Sequence, residues 1–408
     1  LFLNYIFINS YQNKMNKFKY ILLLSTFFIF INLLAFAYIY SQTKINMYSN
    51  EFTSFKKRFS KNETKEIFPH PFFGYNNTNN KIIENDLKNR EPLFNHVPEN
   101  IKSSDIKILI LGGSVATHLS HNHSEDTFKV DDINYDKFDI FQKALNQKFK
   151  TDRFKVINAA IPGGKQPQQL FKFNYLLLNG YTFDIVLNLD GINELALSIA
   201  ENIPIKNNII YPRQFSRQIK AFNTNISCTI NSNKSIHDKS IFPIKELYNL
   251  FIIYSCHKKI YGIENQIDED FYNLSKFKDE GFNVKLAKVV NLWKRSSNMI
   301  SDLSKNYNFK YIHVLQPNQY FKDSKLLTKK EKEISNFTKY SNPISKYYEK
   351  FNIDEVQAKY KFDSRYIFKS NNENLYRDYC CHLNNRGMYL LSHNIIEKFE
   401  EVFIPYIR

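Results

Sequence analysis

The distribution of apolar and polar positions lays out the elements of this chain. Residues 20–40 carry no charge and are broken only by Ser25, Thr26 and Asn32, a length suited to crossing a bilayer as a helix. Further on, short apolar runs recur at 107–112, 155–159, 183–189 and 310–315. Runs of this length between turn residues read as strands buried on both faces. Helical periods lie between them. Phe138, Phe141, Leu145 and Phe149 mark one stripe, and a helix over 167–178 starts at Pro167 and stops before Gly180. A long helix over 286–303 carries Trp293 on its apolar face, and a last one runs through Met388, Leu391, Ile395 and Phe399. Residues 118–135 read as a polar loop, 325–360 as lysine-rich helices, and 366–368 as a weak further strand. Strands alternating with helices predict an α/β fold, a three-layer α/β/α domain on a parallel, doubly wound (flavodoxin-like) sheet.

The same pattern divides the chain. Lys14, Lys17 and Lys19 precede the apolar stretch, so residues 1–19 are expected in the cytoplasm and the main body outside. Met15 followed by Asn-Lys-Phe-Lys reads as a natural start, which would leave residues 1–14 upstream of it. Ala35-Phe36-Ala37 resembles a signal-peptidase site, the secreted alternative, but the apolar run continues through Tyr38-Ile39-Tyr40 and favours a retained transmembrane anchor. Residues 41–60 form a polar tether. Residues 61–105 are expected to be irregular and docked by the aromatics of Pro71-Phe72-Phe73-Gly74-Tyr75. The main domain then occupies 106–408, with an insertion at about 200–280 where the α/β alternation lapses.

Composition narrows the partners. The 408 residues hold 37 Phe and 27 Tyr and a formal charge of +16. The lysines are scattered among asparagines rather than massed, which argues for solvated surface and against nucleic acid as a partner. Four cysteines suit an oxidising compartment and allow three pairings. Cys228 and Cys256 would close a loop within one segment, whereas Cys380 and Cys381 are neighbours whose partners the sequence does not assign.

Three turns following strands carry the candidate chemistry. Gly112-Gly113-Ser114 offers a hydroxyl at a helix entry, Pro162-Gly163-Gly164 offers open backbone N–H groups, and Gly191-Ile192-Asn193-Glu194 offers an amide. Far downstream His382 offers a base. In a doubly wound sheet the carboxyl ends of the strands share one edge, so these parts can meet there. An activated hydroxyl, a base and oxyanion donors are what acyl transfer requires. Each part also has a plainer reading: Asn193 as a helix cap, Gly163 and Gly164 as turn glycines, His382 as a structural histidine, Asp190 as a strand-end turn residue.

Taken in this order, the blocks resemble the SGNH (GDSL-like) hydrolase superfamily over residues 107–195 and 309–400. The resemblance implies Ser114 as nucleophile and His382 as base, with Asp378 holding the imidazole. It also implies an oxyanion hole from the N–H groups of Ser114 and Gly163 and the Asn193 amide, with Asn158 completing the second block. Three departures stand out. Gly113 occupies the usual Asp position, Glu194 replaces the commoner Asp, and Asp378-x-x-x-His382 is one residue longer than the family's spacing. No cofactor is implied. The spacing of His118, His121 and His123 matches no standard zinc pattern, and Cys380-Cys381-His382 makes a poor metal cluster. Asn-x-Ser/Thr triplets such as Asn62-Glu63-Thr64 follow from the abundance of Asn. The expectation is an anchored, exported esterase or acyltransferase acting on acyl, especially acetyl, esters of envelope or exported glycans. The alternative is a non-catalytic binding or assembly protein with a degenerate fold.

Overall fold

A computed structural model describes residues 2–49, 52, 67–70, 73–77, 93–203, 207–213, 215, 242–252, 281–335 and 338–407. Cys228, Cys256, the triplet 62–64, Pro71-Phe72, half of the tether and most of the insertion lie outside them. The chain forms two compact units, Leu1–Thr64 with Lys220–Gln266, and Lys65–Ile219 with Ile267–Arg408.

In the first unit, α1 (Phe2–Thr43) is long and apolar enough over Lys17–Thr43 to cross a membrane, and little of that stretch is buried. Asn32 is the one amide within its uncharged run 20–40. Its Nδ2 donates to Phe28 O at 2.8 Å and its Oδ1 accepts the Ile244 N–H at 3.2 Å, so this polar group is satisfied within an apolar surface. Ile39, Met47 and Phe52 form a small buried cluster with Leu247 and Leu250 against it.

The second unit opens with a hairpin, β1 (Ile67–His70) and β2 (Gly74–Asn77). The irregular structure expected over 61–105 is thus interrupted by paired strands, whose turn buries Phe73 against the His70 ring at 3.5 Å. The sheet itself comprises β3 (Ile106–Gly112), β6 (Phe154–Asn158), β7 (Ile185–Asp190), β8 (Lys310–Leu315) and β9 (Tyr360–Asp363). Its order is β6-β3-β7-β8-β9, parallel throughout. Chain direction across the sheet therefore reverses at the β3/β7 boundary, the place where strand ends open a crevice.

Helices α2 (Ser114–Thr117) and α3 (Ile140–Phe149) lie between β3 and β6, and α4 (Gln168–Leu178) between β6 and β7. Because these crossovers step in opposite directions, the right-handed rule puts α3 and α4 on opposite faces. Beyond β7 come α5 (Ile192–Leu197) and the long α6 (Phe282–Tyr307), which packs beside α4. After β8 follow α7 (Lys329–Ile334), α8 (Thr338–Tyr347) and, after β9, α9 (Asn385–Lys398), which packs beside α3. The layers are those the alternation predicts.

Two sequence expectations need correction. The polar 118–135 stretch holds a second hairpin, β4 (Phe128–Val130) with β5 (Ile133–Tyr135), stabilised by stacking of Phe128 on Tyr135. The last strand lies at Tyr360–Asp363, not at 366–368, which is a turn. The cause is local. Ser364 spends its N–H and Oγ on Leu315 O, ending the ladder, and Arg365 folds back onto Asp363 and Tyr348 O. Phe368 is buried from that turn rather than from a strand.

Candidate active site

The rim is built first by glycine. Gly112 ends β3 at φ +141, where a Cβ would fall 2.2 Å from Leu189 O of β7. Only glycine permits that approach, and through it the turns after β3 and β7 leave the sheet side by side, since Gly112 pairs with Leu189. Ser114 then opens α2. Asn158, at the end of β6, donates to Ala116 O (2.9 Å) and Thr117 O (3.3 Å) and so holds that short helix from below.

The Ser114 Oγ lies 2.7 Å from His382 Nε2, and His382 Nδ1 lies 2.5 Å from Asp378 Oδ2. The side chains of His382 and Asp378 remain 20% and 30% exposed, so the chain of hydrogen bonds opens to solvent. The extra residue between acid and base is absorbed by a turn wound on the carboxylate. Asp378 Oδ1 accepts the N–H groups of Cys380 (2.9 Å), Cys381 (3.3 Å) and His382 (3.3 Å). Outside this turn, residues following β8 hold its carbonyls. Gln319 donates to Asp378 O at 2.7 Å, the Tyr320 hydroxyl to Tyr379 O, and Asn318 to Cys380 O at 3.3 Å. Asn384 caps α9 by accepting the Gly387 N–H, fixing where the helix begins after His382.

Electrostatics follow this geometry. Burial disfavours the imidazolium, but the Asp378 hydrogen bond together with the charges of Cys380 and Asp378 outweighs it and raises the His382 pKa. Burial also works against the Asp378 carboxylate, and the hydrogen bond and charge of His382, with the backbone N–H groups of the turn, together offset it and lower its pKa. His118 packs edge-on against the His382 ring at 4.9 Å; its pKa is held well below the ordinary value by burial and then by the charge of His382. His118, His121 and His123 lie in the loop expected for them, where the His123 ring meets both His118 (5.3 Å) and His121 (5.5 Å).

The donors implied by the motifs converge on the same rim. Gly163 sits in its turn at φ +72, and among the described residues no protein acceptor takes its N–H or that of Ser114. Asn193 Nδ2 donates one hydrogen to Gly164 O at 2.8 Å. A Cβ on residue 113 would fall 2.1 Å from that nitrogen, so the Asn193 amide occupies space that any larger residue at 113 would claim. Glu194 joins the two donor turns. Its Oε1 accepts the Gln166 N–H (2.8 Å) and Gln169 Nε2 (3.2 Å), and its Oε2 accepts the Gly191 N–H (2.7 Å). Burial, then the nearby Asp190 charge, push its pKa up to about 8.

Sequence reasoning missed what lies beneath. Asp190 is not a simple turn residue. It is buried and accepts from Trp293 Nε1 (2.7 Å), Asn188 Nδ2 (2.7 Å) and Gln166 Nε2 (3.2 Å), and pairs with His313 Nε2 (2.9 Å). His313 Nδ1 in turn meets Ser297 Oγ at 2.7 Å. The available signal was Asp190, His313 and Ser297 standing at core positions of apolar elements. Lys165 and Lys172 are likewise buried near the second turn, and burial lowers each to about 7.

Among the described residues, Cys380, Cys381 and His382 are the one group of metal-type donors within 4.8 Å of one another. Both ring nitrogens of His382 are already engaged by Asp378 and Ser114.

No family model and no curated protein sequence matches the chain. Solved structures do. The acetyl xylan esterase AlAXEase matches at TM-score 0.32 and 14% identity, covering 72% of this chain and 98% of its own. Axe2, an acetylxylan esterase from Geobacillus stearothermophilus, matches at 0.33 and 10%, covering 74% and 96%. An active-site mutant of a family two carbohydrate esterase from Clostridium thermocellum matches at 0.30 and 11%, covering 74% and 66%. The second unit is a three-layer α/β/α domain on a parallel, doubly wound sheet, and its β3/β7 crevice gathers Ser114, His382 and Asp378.

Proposed function

We propose that this protein is a serine esterase of SGNH type whose chemistry runs through a Ser114 acyl-enzyme. The observation that carries the reading is the continuous chain Ser114 Oγ–His382–Asp378, at 2.7 and 2.5 Å, open to solvent beside two unused N–H groups. His382 takes the Ser114 proton as Oγ attacks an ester carbonyl. Asp378 fixes the tautomer and stabilises the imidazolium that forms. The oxyanion is received by the N–H groups of Ser114 and Gly163 and the free hydrogen of the Asn193 amide, each such donor typically worth about 2.7–4 kcal/mol of barrier. His382 then protonates the leaving alcohol, and water or a second hydroxyl resolves the acyl-enzyme. The acyl group is a small one, acetyl first, on an envelope or exported glycan. That substrate class rests on fold analogy and on α1 as a membrane anchor with its N-terminus in the cytoplasm, the main domain lying outside.

The test uses the purified full chain in detergent. It should hydrolyse a small activated acetyl ester and be labelled by a fluorophosphonate, and Ser114→Ala should abolish both. Undiminished turnover in that variant would remove Ser114 from the chemistry. A folded wild type that takes no label would favour a binding or assembly role.

A further inference from the structure

The turn that carries the base also carries two adjacent thiols. Cys380 and Cys381 are free, with Sγ atoms 2.8 Å apart, Cys380 half-buried and Cys381 buried. That approach is well inside ordinary sulfur contact, and closing it to the roughly 2.05 Å of a disulfide needs under about 1 Å of movement. We propose that Cys380 and Cys381 form a thiol–disulfide couple, oxidised by low-molecular-weight disulfides, whose closure displaces His382. The proposal rests on the reading of His382 as the base of this site.

The two thiols are not equivalent. The hydrogen bond from the Cys381 thiol to Cys380 Sγ lowers the Cys380 pKa and raises that of Cys381, so Cys380, the more accessible of the two, is the attacking thiolate. It attacks one sulfur of the external disulfide and expels the first thiol, which carries off the Cys380 proton. Cys381, giving up its proton, attacks Cys380 Sγ in the mixed disulfide and expels the second thiol. Two electrons pass from the cysteine pair to the external disulfide, which leaves as two thiols.

The coupling to His382 comes from the peptide inside the new ring. Neighbouring Cα atoms are held about 3.8 Å apart, short of the usual span of a disulfide, so closure twists the Cys380–Cys381 peptide. That peptide's N–H is one of the three donors to Asp378 Oδ1, at 3.3 Å, and its carbonyl is the acceptor of Asn318 Nδ2, also at 3.3 Å. These are the longer bonds of the turn and the least costly to lose. Losing them frees the Asp378 carboxylate to turn, and His382 with it.

The experiment oxidises the full chain with glutathione disulfide and reads the tryptic peptide 378–386, which lies between Arg377 and Arg386 and holds both cysteines and His382. The expected product is that peptide lighter by two hydrogens, without attached glutathione and without a link to Cys228 or Cys256. Its His382 should react several-fold faster with diethyl pyrocarbonate than in the reduced protein. Fluorophosphonate labelling of Ser114 should fall about 100-fold, as for a base misplaced by about 1 Å, and return with dithiothreitol. The Cys380→Ser/Cys381→Ser variant should label equally in both states. A persistent glutathione adduct, a bond to Cys228 or Cys256, or an oxidised peptide with unchanged His382 reactivity would overturn the couple. Absence of labelling in the reduced wild type would instead defeat the esterase reading, with peptide mass and His382 reactivity still deciding the couple.

Discussion

This molecule holds two Ser–His–Asp chains of nearly equal geometry. At the rim, Ser114, His382 and Asp378 are joined at 2.7 and 2.5 Å. In the core, Ser297, His313 and Asp190 are joined at 2.7 and 2.9 Å, with the ring turned so that Nδ1 rather than Nε2 faces the serine. The core set is excluded from solvent, His313 and Ser297 at 0% and Asp190 at 1% exposure. Its members are also fully engaged, since Ser297 meets the Tyr311 hydroxyl and Asp190 binds Trp293, Asn188 and Gln166. Burial to that degree puts it out of an ester's reach. Hydrogen-bond distances therefore do not define an active site. Access and unspent donors do, and they separate the proposed catalytic relay from a buried network that anchors α6 to the sheet.

The largest effect should come from the serines. Ser114→Ala is expected to cut kcat for an acetyl ester by about 10⁴-fold or more. Ser297→Ala should leave kcat within about tenfold and lower unfolding free energy by about 1–3 kcal/mol in urea titrations. Equal loss of turnover in both variants would erase the distinction. Next, Asp378→Asn should lower kcat by about 10³–10⁴-fold. It should also move the acid limb of kcat/KM. With the His382 pKa raised by Asp378, wild-type kcat/KM climbs only above the ordinary 6.5 as the ring loses its proton; without the carboxylate that limb shifts to lower pH. A pH–rate profile checks both.

Smaller again is the loss of one donor. Asn193→Ala should reduce kcat by about 10²–10³-fold while KM changes little, because the amide acts on charge that develops only in the transition state. The smallest effect contrasts burial with function. Lys172 Nζ is buried with no hydrogen-bond partner among the described residues and lies 5.4 Å from the Phe73 ring. Its pKa falls from 10.5 to about 7 through burial. Between those values the unfolded chain binds more protons than the folded one, so wild-type stability rises with pH across that window. Lys172→Met should flatten that rise in urea midpoints taken at about pH 7 and about pH 10 and leave ester turnover unchanged.

Most of the sheet and the rim were legible because they obey local rules. Buried parallel strands are continuous apolar runs, and the glycine turns after β3 and β7 announce themselves by residue type. Asp378 was harder to place, because its spacing to His382 makes sense only once the carboxylate is seen gathering the intervening N–H groups. The strand at Tyr360–Asp363 was missed for a related reason. What ends it is Ser364 and Arg365 reaching residues distant in sequence, a tertiary cause that no window of neighbours contains. The core network was invisible in the same way, since each of its polar residues alone looks like an exception within an apolar stretch.

Glu194 leaves one further consequence. A single carboxylate ties the turn bearing Gly163, through Gln166 and Gln169, to the turn bearing Asn193, through Gly191. The two halves of the proposed oxyanion pocket are thereby mechanically geared. Anyone reshaping the pocket for a bulkier ester would have to vary both turns in concert, because displacing either drags the other out of alignment.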